Sequence, residues 1–579
     1  MSIFKNIKSW VLTTGFAATT LFSNAATINI TDSDLGNGIY NWTKNNVYLL
    51  NGLVYLESGG KLNIEAGTVI KFKNTNPASA LIITRGAQIF AEGSKDDPII
   101  FTSEADDVEN PTDLGPNDVA LWGGLVILGK AHTYKNGNTE VNVEGIPTTE
   151  TRAKYGDANG NFTNNDNSGI LRYVSIRHGG SELAPGNELQ NLTLAGVGNG
   201  TIIEYIEIYA SSDDGIEIFG GTVNLKYAIV AFADDDTYDF DEYWTGKGQF
   251  WFGLQRETAT GPDAGFEADG STPDNLAPAT NPLLYNITII GSGVGATKGG
   301  TAWLLRAGIQ GQYYNSILTD FRSKCLEVQD RPKNSTTDAY AQLTNGNMTI
   351  GNNVFWKCGA SSTQPLDASS TGIIRVTVTD TCSGTPNSPC NTNGEGGSAV
   401  TFLVNHLTSN NNTIADPQIT FIDREQNETL DPRPSISGAA YSGTLAAYPA
   451  NDSFFTHVNY KGAFDADANN FWAAKWTTLY KNNHLRKDIH TGILPTSIKN
   501  QVNIFPNPAQ NDFTIDFNGT FYERIEIINS SGQQIKSFKV LPNTLQINVN
   551  TETLSEGLYL VRLLNRSGET LIKKLSISK

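Results

Sequence analysis

The sequence predicts an all-β chain: a right-handed parallel β-helix, or solenoid, with loop insertions and a C-terminal cap, followed by a small β-sandwich. Three observations lead there: internal repeats of short alternating strands, a turn-rich and charge-poor composition, and a distinct run of strand–turn units at the C-terminal end.

The repeats come first. Near the start, "VYLESGGKLNIEAG" and "LIITRGAQIFAEG" align at an offset of 27, placing Gly59 on Gly86, Leu62 on Ile89 and Glu65 on Glu92. "EYIEIYASSDDGIEIF" and "KYAIVAFADDDTYDFD" align without a gap at 22, with Tyr205 on Tyr227, Ile208 on Val230 and Glu217 on Asp239. "RYVSIRHGG" from Arg172 joins the first of these at 32. A third family comprises "LYNITIIGSG", "YYNSILTDF" and "NNVFWKCG", with Asn286, Asn315 and Asn353 as a recurring position. One repeat cannot bury its inner face alone, so stacked coils sharing a single core are the stable solution. Recurring Tyr and Asn then form columns at strand or turn positions. A β-sandwich also alternates, but it does not produce a gapless offset of 22.

With 56 Gly and 17% charged residues, the chain reads as strands and turns rather than helices. Asn/Asp/Gly/Thr/Pro-rich insertions, at 105–120, 132–168, 255–282 and 359–400, are predicted to protrude as loops. The aromatic segment at 450–485 is predicted to cap the last coil, because a solenoid needs its open end covered.

The two ends read differently. Residues 1–25 combine Lys5 and Lys8, an apolar run from Trp10 to Phe22 and a small-x-small site, so a signal peptide cleaved between Ala25 and Ala26 is expected. The run is too short to cross ~30 Å of hydrocarbon, and no transmembrane span is predicted elsewhere. After a body at 26–495 and a linker at 496–502 come "VNIFPNPAQNDFTIDF", "ERIEIINSSGQQI" and "LSEGLYLVRLLNRSGETLIKKLSISK". The prolines of Phe505-Pro506-Asn507-Pro508 exclude a helix or central strand, and short strands with Ser-Gly and Glu-Gly turns follow.

Residues 503–579 resemble the type A C-terminal sorting domain of the type IX secretion system. The resemblance implies passage through that machinery across the outer membrane of a Bacteroidota-type cell, to a secreted or cell-surface location. The body, through "YLLNGLVYLESGGKLNIEAGTVIKF", "LWGGLVILGKA" and "FFTHVNYKGAF", resembles the pectate-lyase-like β-helix surface proteins found upstream of such domains.

Charge narrows the partners. The net formal charge is −18; with +2 on residues 1–25 and +1 on 503–579, the body carries −21. That surface argues against nucleic acid or anionic lipid and favours divalent cations. At an offset of 22, with coils ~4.8 Å apart, Asp213 stands beside Asp235, Asp214 beside Asp236 and Glu217 near Asp239. Carboxylates this close must take up protons, stay in bulk water or share a cation, and calcium is the natural extracellular ion for oxygen ligands. The competing reading is a solvated turn whose Asp side chains cap amides. Asp157-x-Asn159-x-Asn161 and Asp465-x-Asp467-x-Asn469 start like EF-hand loops, but the first has no Glu at the twelfth position and both read better as Asx turns.

Catalysis has weaker signals. "SSDDGIEI" resembles the double-Asp signature of polygalacturonases, but Gly-His-Gly and Arg-x-Lys counterparts do not follow it, and "RHGG" precedes it. A lyase needs a basic residue, for which Arg177 is a candidate, although a lone Arg on a coil is usually a ladder residue. Trp244, Trp251, Phe252, Trp472 and Trp476 suit sugar stacking or, more commonly, packing. Cys382 and Cys390 flank a short loop and form the local disulfide candidate. The resulting expectation is a non-catalytic surface protein binding a glycan or another surface ligand. The alternative is a pectinase-like polysaccharide lyase or glycoside hydrolase.

Overall fold

A computed structural model describes residues 26–487 and 502–579, apart from 184–187, 258–262, 272–277, 332–336, 360–365, 367–371, 382–388, 392–397, 518–521, 523, 541–543, 545 and 565–569. The expected signal peptide through Ala25, nearly all of the expected linker and Cys382 therefore lie outside the described residues, as does the side chain of Cys390.

The body is a parallel β-helix. Its first sheet has 18 strands, and its second has 11, ten of which stack in parallel from Leu53–Leu56 to Ile374–Thr381. Registers match the repeats: Leu62 pairs with Ile89, Arg172 with Glu204, Ile208 with Val230, and Glu217 with Asp239. Alternate residues of each strand point inward, so Leu62, Ile89, Ile176, Ile208, Val230 and their equivalents form one continuous buried column.

Corners within the long strands Gly169–Arg177, Ile202–Ser211, Asn224–Ala233 and Lys247–Leu254 use left-handed backbone. Tyr173, Tyr205, Tyr227 and Phe250 have φ of 51°, 54°, 58° and 59°. A non-glycine residue there costs roughly 1–2 kcal/mol. Stacking offsets part of that cost: the Tyr173, Tyr205 and Tyr227 rings lie 4.4 Å apart and within 12° of parallel. Farther along, Asn286, Asn315 and Asn352 take the same corner, with φ of 57°, 54° and 59°. The Asn column thus contains Asn352 rather than Asn353. Ile317 pairs with Val354, which sets Asn353 opposite Ser316, where its Oδ1 accepts the Ser316 amide at 2.8 Å.

The aromatic segment does not cover the last coil. Phe464, Phe471, Trp476, Leu479 and Leu485 pack on the outer side of Tyr209, Ala231, Phe232, Phe252, Leu254 and Ile290, forming a strap along the flank of the middle coils. The Asn corners bind the strap region too: Asn286 Nδ2 donates to Tyr460 O, Asn315 Nδ2 to Ala446 O and Asn352 Nδ2 to Thr444 O. The last coil is closed instead by the helix Ser398–Ser409, which places Val400, Leu403, Val404 and Leu407 into the solenoid core beside Ile373 and Val376.

Three insertions are more built than loops. Residues 132–168 carry the hairpin Glu140–Asn142/Lys154–Gly156, and Val143, Ile146 and Tyr155 from this insertion cover Val126, Leu128 and Phe219. Residues 255–282 contain the coil strand Phe266–Asp269, and 359–400 contain Ile374–Thr381 and the start of the closing helix. A disulfide absent from the sequence reading joins Cys325 to Cys358, with Cα atoms 5.4 Å apart.

Residues 503–577 form a separate sandwich of a three-stranded and a four-stranded antiparallel sheet, with Phe513, Ile515, Ile525, Val561, Leu563 and Leu575 between them.

Candidate metal centre

The second sheet places an acidic row. In Ile216–Phe219, Tyr238–Asp241 and Phe266–Asp269, the residues Ile216, Ile218, Tyr238, Phe240, Phe266 and Ala268 fill the core. Their neighbours Glu217, Asp239 and Glu267 must then face outward, and the register stacks them in one line. Just before each strand, a tight turn carries Asp213-Asp214, Asp235-Asp236 or Asp263. Gly215 permits the first turn to close, because a Cβ there would lie 2.2 Å from Val230 Cγ1.

Hydrogen bonds across coils hold the turns in line. Asp214 Oδ1 accepts the Asp236 amide at 2.9 Å, and Asp236 Oδ1 accepts the Ala264 amide at 2.5 Å. Three groups of carboxylates result, each with its oxygens within 4.8 Å of one another: Asp213, Asp214 and Asp235; Asp214, Glu217 and Asp239; Asp235, Asp236 and Asp263. Asp214, Glu217 and Asp236 are buried, with exposures of 6%, 5% and 3%. Glu217 Oε2 and Asp239 Oδ1 are buried with no hydrogen-bond partner among the described residues.

Burial is the main electrostatic effect. It lifts the Asp213 carboxyl to about 7, with the Asp235 charge adding to it. Asp214, Glu217, Asp236 and Asp239 are raised well above the usual carboxylate range, by burial first and by neighbouring carboxylates second. Guanidinium groups neutralise the flanks of the row. Arg306 binds Glu267 at 2.7 Å and Asp269 at 2.6 Å, Arg256 binds Asp234 at 2.5 Å, and Arg375 binds Glu327. Among the described residues, no Lys or Arg forms an ion pair with Asp213, Asp214, Glu217, Asp235, Asp236 or Asp239.

All six predicted residues therefore meet on two adjoining coils. The sequence reading missed Asp263 and Glu267, which repeat Asp235 and Asp239 at an offset of 28 rather than 22. Other candidates have structural roles. Arg177 lies on the first sheet, buried, with Asp106 3.5 Å away. Asp157 Oδ1 accepts the amides of Asn159 and Asn161, and Asp465 Oδ1 accepts that of Asp467, as in Asx turns. Trp244 and Trp251 are core residues, while Phe252 and Trp476 are sealed between coil and strap. Half-buried Trp472 packs against the same cluster, its indole N–H donating to Ala463 O.

The donor set is all oxygen, the chemistry of calcium or magnesium rather than zinc or copper. Within each trio one oxygen from every carboxyl lies within 4.8 Å of the others, close enough for the three to meet on a single cation.

Comparison with known proteins agrees with the architecture. Residues 37–397 match the pectate-lyase-like β-helix domain, and residues 503–578 match the secretion system C-terminal sorting domain. No curated protein matches the chain. The sorting domain means that the type IX machinery handles the chain and that its destination is the cell surface or the exterior. No helix among the described residues is long and apolar enough to cross a membrane. The chain belongs to the pectate-lyase-like β-helix domain family and carries a type IX sorting domain behind it.

Proposed function

We propose that this is a surface β-helix protein that binds a glycan or another surface ligand without turning it over, and that a calcium ion completes its acidic row. Residues 1–25 fit this reading as a signal peptide removed at Ala25/Ala26, the step before outer-membrane passage. One observation carries the metal assignment: Glu217 Oε2 and Asp239 Oδ1 are buried without a hydrogen-bond partner among the described residues, beside Asp214. A buried carboxylate oxygen left unpaired costs several kcal/mol unless a proton or cation meets it. Calcium takes six to eight oxygens at about 2.3–2.6 Å, and the Asp214, Glu217 and Asp239 side chains supply the protein's share.

The alternative, a pectinase-like polysaccharide lyase or glycoside hydrolase, draws on the family and on Asp213, whose carboxyl near 7 suits a general acid. The crowding of the carboxylates favours cation sharing over that role.

Calorimetric titration of calcium into the chelator-treated full chain tests the metal. Binding should be saturable and stabilise the fold by about 2.7 kcal/mol at a hundredfold excess over Kd, and Glu217→Gln should remove both effects. A melting temperature indifferent to calcium and chelator eliminates the site. Incubation with acidic and neutral polysaccharides tests catalysis: new reducing ends or unsaturated uronides replace the binding reading with the enzymatic one.

A further inference from the structure

A second concave surface lies far along the chain from the acidic row. The turn Glu57-Ser58-Gly59 stacks on the turn Thr84-Arg85-Gly86, joined by the Gly59 amide donating to Gly86 O at 2.9 Å. The 132–168 insertion brings Thr151 and Arg152 over these turns, and Asn37 closes the rim. Together they line a cleft of about 350 Å³, inside the range of about 300–1,000 Å³ typical of small-ligand sites.

The lining is polar, and its charges are already answered. Arg152 sits over the Tyr55 ring, its Cζ 3.9 Å from the ring centre, and binds Asp32, Glu57 and Glu150. Arg85 Nη1 donates to Glu140 Oε1 and Gly156 O, both at 2.8 Å. These pairs fix both guanidinium planes and leave no surplus positive charge for an acidic ligand. Asn37, Ser58 and Thr151 are exposed, and their side chains form no hydrogen bond with a described residue. The cleft therefore offers one amide and two hydroxyls, each able to donate and accept, beside the edges of two guanidinium groups held by carboxylates. Mixed donors and acceptors without excess positive charge match a vicinal-diol ligand.

We propose that this cleft binds an uncharged mono- or disaccharide. The proposal rests on the reading that the protein binds glycan, and it gives that binding a location independent of the cation.

The test is titration of the full chain with cellobiose, maltose and digalacturonic acid, each with calcium and with chelator. A neutral disaccharide should bind in both conditions and digalacturonic acid more weakly. Ser58→Ala and Thr151→Ala should each weaken the neutral sugar about three- to tenfold, and Ser58→Trp, which fills the cleft from an exposed position, should abolish its binding with the melting temperature unchanged. Neutral-sugar binding that survives Ser58→Trp overturns the cleft and leaves surface glycan binding standing. Preference for digalacturonic acid, lost with chelator or Glu217→Gln, moves the ligand to the acidic row. No saccharide binding at all overturns the cleft and the glycan reading together.

Discussion

Asp214 Oδ1 accepts the backbone amide of Asp236 on the next coil at 2.9 Å, and Asp236 does the same for Ala264. Each carboxylate is thereby tied to its neighbour's turn and cannot swing into water to escape the charges beside it. The repulsion must be met by protons or by a cation.

The pH dependence follows from that constraint. Unfolded carboxyls titrate at about 4, whereas burial holds Asp213 up at about 7 and raises Asp214, Glu217, Asp236 and Asp239 well above their ordinary values. Across that interval the folded chain keeps protons that the unfolded chain has released, so stability falls as pH rises. The melting temperature of the chelated protein should be highest in mild acid and decline through neutrality, and calcium should flatten the decline. A chelated protein with no slope between pH 5 and 8 counts against this account.

The Cys325–Cys358 bridge closes a loop spanning 33 positions. Loop-closure entropy assigns about 3–4 kcal/mol to a bridge of that span. The double variant Cys325→Ser/Cys358→Ser should lose that much in denaturant unfolding. A loss below about 1 kcal/mol means the neighbouring coils already restrain the segment in the unfolded chain.

Asn315 combines a left-handed backbone with a two-way clasp on the strap region, donating to Ala446 O at 3.2 Å and accepting from Ala446 N at 2.8 Å. Asn315→Gly keeps the backbone conformation and loses the clasp, at a cost of about 1–3 kcal/mol. Asn315→Ala adds left-handed strain of about 1–2 kcal/mol. Equal losses for the two variants would show that the corner itself carries no strain.

Export depends on the sandwich at the C-terminal end. A chain truncated after residue 502 should accumulate in the periplasm, read by fractionation and immunoblotting. Its appearance in the medium at full-length levels contradicts the role of the sorting domain.

The solenoid was legible because Ile208 and Val230 differ by the same 22 positions as Glu217 and Asp239, with no gap between. Where an insertion stretches the spacing to 28, the same logic lost Asp263 and Glu267. The two consecutive asparagines at 352 and 353 gave an ambiguity of one residue, resolved only by pairing Ile317 with Val354. The strap was misplaced for another reason. "AIVAFA" at 228–233 is apolar on both faces, the signature of a strand covered on both sides, so its outer side needed a lid. That lid came from more than 200 residues downstream. The Cys325–Cys358 link was missed because the two cysteines become neighbours only when the coils stack.

The closing helix Ser398–Ser409 also sets a limit on assembly. A stack of parallel rungs has no internal reason to stop, since its final rung offers unpaired amides and carbonyls as a template for the first rung of another molecule. By burying Val400, Leu403, Val404 and Leu407 over that rung, the helix makes the molecule finite. It gives the stack a defined length and covers the edge from which end-to-end filaments would grow.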